Sequence, residues 1–205
     1  GVVTGTVFSV LADELIPKAE KIEFNSASDA LMSLDNGKID AFPTDESLYY
    51  AMRWEGKNYS IVEESMATST YGMIFGKGAN QDLRAELNAF LSDNKETVAV
   101  LEAKWFSEKE PTEFMSYDDL TGQNGTLRIG VCSSVKPFVY MKDGRLTGYD
   151  IEILISFARG YGYKLDFEDT LFASVLTGVS MGTYDIGASG FCITEERAEN
   201  VDFSD

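Results

Sequence analysis

The sequence contains no histidine, only four prolines and two cysteines, and half as many basic residues (17) as acidic ones (34). Each shortage closes off a class of chemistry. Without histidine there is no Ser-His or Cys-His nucleophile pair, no imidazole metal ligand and no imidazole switch near neutral pH. A formal charge of −17 leaves no basic surface for a phosphate backbone, which argues against nucleic acid as a partner. The same sign disfavours an anionic membrane surface. Two cysteines make neither a disulfide scaffold nor a four-cysteine zinc site. No stretch reaches the roughly 18 uncharged apolar residues of a membrane span, and no signal peptide is recognisable. No motif asks for a metal or a cofactor. What remains is ordinary globular composition, with 44% hydrophobic and 25% charged residues over 205 positions, enough for one large domain or two small ones.

The pattern along the chain alternates strand and helix. Gly1-Val2-Val3 is a short apolar strand, followed by the turn Thr4-Gly5-Thr6 and a helix with Val7, Leu11 and Leu15 spaced by four and Pro17 as a stop. Ile22–Phe24 reads as a strand. Ser26 with Asp29 reads as a capping box ahead of the stripe Ala30, Leu31 and Leu34, with Gly37 closing the helix. Ile39–Phe42 is expected to be a strand, and Thr44-Asp45 to open a helix. Residues 70–78 read as extended. Asn80 is placed to cap a helix carrying Leu83, Leu87, Phe90 and Leu91, and a second helix carries Val98, Leu101 and Trp105. Residues 107–125 are polar and read as a linker. A fresh unit follows: a strand over Leu127–Val131, a turn at Asp143-Gly144, a helix with Tyr149, Ile153, Phe157 and Tyr161, a strand at Leu165–Phe167, a helix over Phe172–Met181 and a strand over Tyr184–Ala188. Such alternation predicts an α/β fold, with mostly parallel sheets flanked by helices.

Two turns could receive an anion at a helix start, Thr4-Gly5-Thr6 and the run Ser189-Gly190-Phe191-Cys192-Ile193-Thr194. Arg197, just beyond the second, could clamp a carboxylate with a planar fork. Neither turn carries the spacing of a nucleotide loop, and taken alone each is more often plain helix capping. Asp45 sits past a strand end, where a carboxylate could hold an ammonium, although a lone Asp there is more often an N-cap. An arginine with amides for a carboxylate, and an aspartate for an ammonium, would together suit an α-amino acid zwitterion.

From Leu127-Arg128-Ile129-Gly130-Val131 through Pro137-Phe138, Gly144, Leu146 and Gly148-Tyr149-Asp150-Ile151-Glu152, then Tyr184-Asp185, Ser189-Gly190, Ile193-Thr194, Arg197 and Val201-Asp202-Phe203-Ser204, the sequence resembles the first lobe of family 3 extracellular solute-binding proteins, the polar amino-acid receptors of ABC importers. The first 106 residues resemble the other half: Val2–Thr6 the start of the second lobe, Asn36–Asp45 its aspartate-bearing strand end, and Tyr71-Gly72 with Leu83–Phe106 the hinge return and closing helices. The resemblance implies type II periplasmic-binding-protein (Venus flytrap) lobes in inverted order. Residues 1–106 would be a second lobe with return helices, 107–125 a linker and 126–205 a first lobe. A fragment of a tandem protein and a circular permutant both have this order, and the polar linker suits the tandem reading better. Each half lacks its natural neighbour, so lobe exchange between two copies is one way to pair them.

Carried over residue by residue, the resemblance makes Arg197 the clamp for a ligand carboxylate, with Thr194 and Thr6 assisting. Ser189 and Gly190 meet the ammonium with Asp45 as its counter-charge, and Phe172 is an apolar wall. Cys132, Val135 and Cys192 stand where the family often has an acidic residue, an aromatic platform and a Ser or Thr. That implies a small or apolar side-chain pocket and disfavours a basic ligand. Cys132 and Cys192 fall near one mouth, as a disulfide or as two free thiols; geometry decides. The implied function is extracytoplasmic capture of an amino acid for a membrane permease of an ABC importer, probed against two alternatives. One is the sensory flytrap of a membrane-tethered receptor such as a histidine kinase. The other is a dehydratase or lytic enzyme on the same fold, for which no spare acid or base is in view.

Overall fold

The computed structural model describes residues 1–62, 65 and 67–205. Among these, ten strands and eight helices form two lobes of unequal build.

The smaller lobe holds residues 1–60. Strand β1 (Val2–Val3) pairs in parallel with β2 (Glu23–Phe24), and helices α1 (Val7–Leu15), α2 (Ala27–Asp35) and α3 (Glu46–Trp54) lie around them. Ser26 caps α2, its hydroxyl accepting from Asp29 N at 3.1 Å. Asp29 does not reach back to the backbone; its carboxylate accepts from the Ser26 hydroxyl at 2.8 Å. Ile39–Phe42 is not a strand. A strand needs a ladder of partners for its backbone groups, and the described residues form none with Ile39–Phe42 beyond one bond. Of this segment Ala41 O accepts from the Gly1 amine at 2.7 Å.

The larger lobe draws on both halves of the sequence. Its five-stranded sheet has the order β10-β3-β9-β4-β8, built from β3 (Ile74–Gly76), β4 (Thr126–Val131), β8 (Lys164–Asp169), β9 (Ile186–Ala188) and β10 (Val201–Phe203). β4 is parallel to β8 on one side and β9 on the other. β3 arrives from the first half and wedges antiparallel between β9 and β10. The expected parallel ladders are therefore present at β1–β2 and β8–β4–β9, while β3 makes the main sheet mixed. A small antiparallel meander, β5 (Ser134–Val135), β6 (Val139–Lys142) and β7 (Arg145–Thr147), turns at Asp143-Gly144. Both turn residues have positive φ, 49° and 77°, the requirement that favours Asp-Gly in tight hairpins.

Helices α4 (Gln81–Asp93) and α5 (Lys95–Trp105) pack with α6 (Tyr149–Tyr161) on one face of this sheet, and α7 (Phe172–Ser180) covers the other. Asn80 holds the N-cap position of α4 in a left-handed conformation without a side-chain cap bond. Phe75, Trp105, Ile129 and Phe157 are fully buried in the main core, and Ile74, Val175 and Phe191 in a second cluster. Glu152 of α6 is buried and satisfied from three directions: Lys104 Nζ at 2.7 Å, Trp105 Nε1 at 3.0 Å and Met115 N at 2.9 Å. A buried carboxylate is tolerated only when paired and bonded in this way. Residues 107–125, read as a linker, carry no helix or strand but lie along this lobe. Leu120 is buried, Phe114, Met115 and Tyr117 pack on the main core, and Asp118 and Asp119 bond Arg145 and Arg159 at 2.7 and 2.9 Å.

Candidate ligand-binding cleft

The chain leaves β4 for β8 on one side and returns to β9 on the other, so the carboxyl ends of β4 and β9 open a crevice where the connections diverge. Open α/β sheets place ligands at such points. Here the crevice faces the smaller lobe across a cleft lined by residues of both lobes.

Seven of the ten residues singled out from the sequence line this cleft: Thr6, Asp45, Val135, Phe172, Gly190, Cys192 and Arg197. Arg197, in α8 (Glu195–Asn200), is buried. Its Nη1 donates to Cys192 O and its Nη2 to Gly5 O of the smaller lobe, both at 2.8 Å. The guanidinium lies 5.7 Å from the centre of the Phe172 ring and 5.8 Å from that of Phe191. Among the described residues it has no carboxylate partner, and burial works against its charge. A buried cation held only by carbonyls and rings retains N–H donors and an unneutralised charge for an incoming anion.

Asp45 stands at the N-cap position of α3, but its side chain makes no cap bond. Its carboxylate instead accepts from the Tyr71 hydroxyl. It too has no ion-pair partner among the described residues, and burial pushes its pKa up despite the Tyr71 bond. Arg197 and Asp45 thus come from opposite lobes and oppose one another in sign.

Gly190 adopts φ +60°, and a Cβ there would stand 2.6 Å from the Phe138 ring, so glycine is required by conformation and by space. Its N–H donates to Asp150 Oδ2 at 2.9 Å, and so is already engaged. Asp150 is buried in the first turn of α6, and desolvation pushes it up to about 7.

Three expected residues do not line the cleft. Thr194 caps α8, its hydroxyl accepting from Arg197 N at 3.2 Å. Ser189 is fully buried, and its hydroxyl accepts from Cys132 N at 2.8 Å, tying the ends of β4 and β9 together. Cys132 packs in the second core cluster with its sulfur 3.2 Å from the Ser134 hydroxyl. Cys132 and Cys192 are both buried free thiols, which decides the alternative left open by sequence. Thr6 lines the cleft, but its hydroxyl donates to Val3 O at 2.7 Å.

The structure adds lining residues that local motifs did not reveal, among them Phe8, Phe42, Ser47, Lys136 and Phe138. The Ser47 hydroxyl is buried with no partner among the described residues. It lies two positions past Asp45, so the start of α3 was the signal available for it. Lys136 reaches Glu55 of the smaller lobe at 2.5 Å. Trp54 of the smaller lobe donates through Nε1 to Ser107 O at 2.7 Å. With Arg197–Gly5 and Tyr71–Asp45, these make four ties that hold the lobes closed over the cleft.

The bacterial extracellular solute-binding proteins of family 3 match residues 127–205 as a group. The chain is 34% identical over 79 residues to the arginine-binding extracellular protein ArtP of Bacillus subtilis, a match spanning 38% of this chain and 31% of that protein. It is 33% identical over 113 residues to the glutamine-binding protein GlnH of an ABC transporter of Bacillus subtilis, spanning 54% of this chain and 41% of that protein. A solved structure, the arginine-bound form of domain 1 from TmArgBP, is 31% identical over 40% of this chain and 66% of that one, with a TM-score of 0.39. The chain spans well under half the length of the two Bacillus relatives. No helix among the described residues is long and apolar enough to cross a membrane.

Proposed function

We infer that this chain, whose residues 127–205 match the family 3 extracellular solute-binding proteins, captures a free α-amino acid between its two lobes and releases it unchanged. The carrying observation is a pair of charges that have no ion partner among the described residues, the buried Arg197 from the larger lobe and the part-buried Asp45 from the smaller, facing one cleft. An α-carboxylate supplies what Arg197 lacks and an α-ammonium what Asp45 lacks. Each charge-assisted bond in a desolvated site is stronger than its surface counterpart.

The remaining wall favours a neutral side chain. Phe8, Phe42, Phe138, Phe172 and Val135 surround the site, and Asp45 is its one carboxylate among the described lining residues. A guanidinium or ammonium side chain would need a second acid and would meet Lys136. Relatives are named for binding arginine and glutamine; the neutral choice suits this wall better. The wider role is extracytoplasmic delivery of the amino acid to the membrane permease of an ABC importer. The order of the halves, with β3 of the first seated in the sheet of the second, supports pairing within one chain.

Isothermal titration of the purified chain against a panel of amino acids tests this reading. Heat with neutral apolar or small polar amino acids, and little with arginine or lysine, is the expected result. Tightest binding to arginine or lysine would overturn the side-chain assignment, and no binding by any amino acid would overturn the function.

A further inference from the structure

We propose that Tyr71 is a positioning residue for the ligand, its hydroxyl reaching from the larger lobe to hold the Asp45 carboxylate in place as the partner of the ligand's ammonium. The inference rests on the zwitterion reading above and adds a residue that this reading does not use.

Asp at an N-cap ordinarily turns its oxygen back to the second or third backbone N–H of its helix. Asp45 has the backbone of an N-cap and makes no such bond; its Oδ1 accepts from Tyr71 across the cleft. Tyr71 is itself held on three sides. Its backbone bridges to Cys192, the following Gly72 N donates to Phe191 O at 3.0 Å, and its ring packs 5.0 Å from that of Phe138. The donor therefore sits on a segment of the larger lobe bridged to Cys192 just ahead of β3, and the acceptor on the start of a helix in the smaller one.

Tyr71 supports the ligand and does not compete with it. An ionised carboxylate accepts on both oxygens, and the phenol takes Oδ1, leaving Oδ2 for an ammonium. Burial alone favours the protonated acid, which cannot hold a cation; the hydrogen bond from Tyr71 opposes that tendency. Burial and the neighbouring Asp45 push the Tyr71 phenol far up, so it remains a donor at all working pH. The other groups about Asp45 do not replace it. The Cys192 thiol is itself pushed up by burial and stays neutral, Glu46 is an exposed acid on the same helix, and Arg197 spends two donors on carbonyls.

The test is titration of wild type, Tyr71→Phe, Asp45→Asn and the double variant with the neutral amino acid that wild type binds best, from pH 4 to pH 9. Tyr71→Phe is expected to bind about tenfold more weakly, with the pH at which binding fails on the acid side moved upward. In the Asp45→Asn background the same change is expected to add little. A merely structural Tyr71 would lower the melting temperature without moving the acid limb. An unmoved limb, or losses from the two single changes that simply add, overturns the proposal. Absence of any binding by wild type is a separate result, and overturns the zwitterion reading with it.

Discussion

The two lobes meet at one cleft but are held together in different ways. In the larger lobe, both core clusters draw their buried residues from positions 73–201, and the buried carboxylate Glu152 ties α5, α6 and the 107–125 segment into one unit. The smaller lobe buries Val2, Val3, Ala30 and Ala51 but leaves Val10, Leu15 and Ile16 each close to half exposed. Its sheet is a single two-residue ladder, and bonds from Glu55, Trp54, Gly5 and Asp45 tie it across the cleft to the larger lobe. The larger lobe is therefore a self-sufficient frame, while the smaller one is ordered in large part by what it closes upon. A ligand bridging Arg197 and Asp45 would add a fifth tie, so ligand binding and order in the smaller lobe should rise together.

The comparison can be broken first where it is strongest. Trp105→Ala, which empties a fully buried indole and removes a donor to Glu152, is expected to cost about 3–5 kcal/mol and to unfold both lobes in one denaturant transition. Loss of the smaller lobe alone would show that the larger lobe is not the frame. Next, Arg197→Met removes the charge and its bonds to Gly5 and Cys192. It should weaken amino-acid binding by about a hundredfold while α-helical content, followed by circular dichroism, stays near that of wild type.

A smaller effect is set by pH. Asp150 is pushed up to about 7 by burial, from 3.8. The folded state then holds a proton that the unfolded chain releases at lower pH. The stability so contributed is fully present below about pH 4 and is lost as pH rises through about 7. Asp150→Asn should flatten the melting-temperature profile between these limits, and an unchanged slope would place the decline elsewhere. The smallest change is expected at Leu15→Ala in the smaller lobe. The side chain is half exposed, so the effect should stay within about 0.5 kcal/mol by chemical denaturation; a large loss would mean that this face is covered in solution.

Much of this frame was legible in the sequence because its signals are local. The four-residue spacing of Tyr149, Ile153, Phe157 and Tyr161, the Asp143-Gly144 turn and the Ser26 cap all depend on near neighbours, and all appear as expected. Ile39–Phe42 has the apolar character of a strand but forms no ladder with a neighbour among the described residues, a fact no local pattern contains. The antiparallel entry of β3 is likewise a property of distant segments. In the cleft, Arg197 and Asp45 could be found because a charge beside the start of a helix is a local mark. The hydroxyls of Ser189 and Thr194 carry the same local mark yet are consumed by backbone N–H groups. Tyr71 lies 26 positions from Asp45 and on the other lobe, so only the fold brings them together.

The central claim is that one cleft reads both ends of a zwitterion, and blocking each end of the ligand tests it most directly. Competition titrations should compare the free amino acid with its N-acetyl derivative, which lacks the ammonium, and with its methyl ester, which lacks the carboxylate. The account predicts tight binding of the free amino acid alone, with both derivatives weakened by about a hundredfold or more. Comparable binding of either derivative would contradict it, by showing that Asp45 or Arg197 does not carry its half of the recognition.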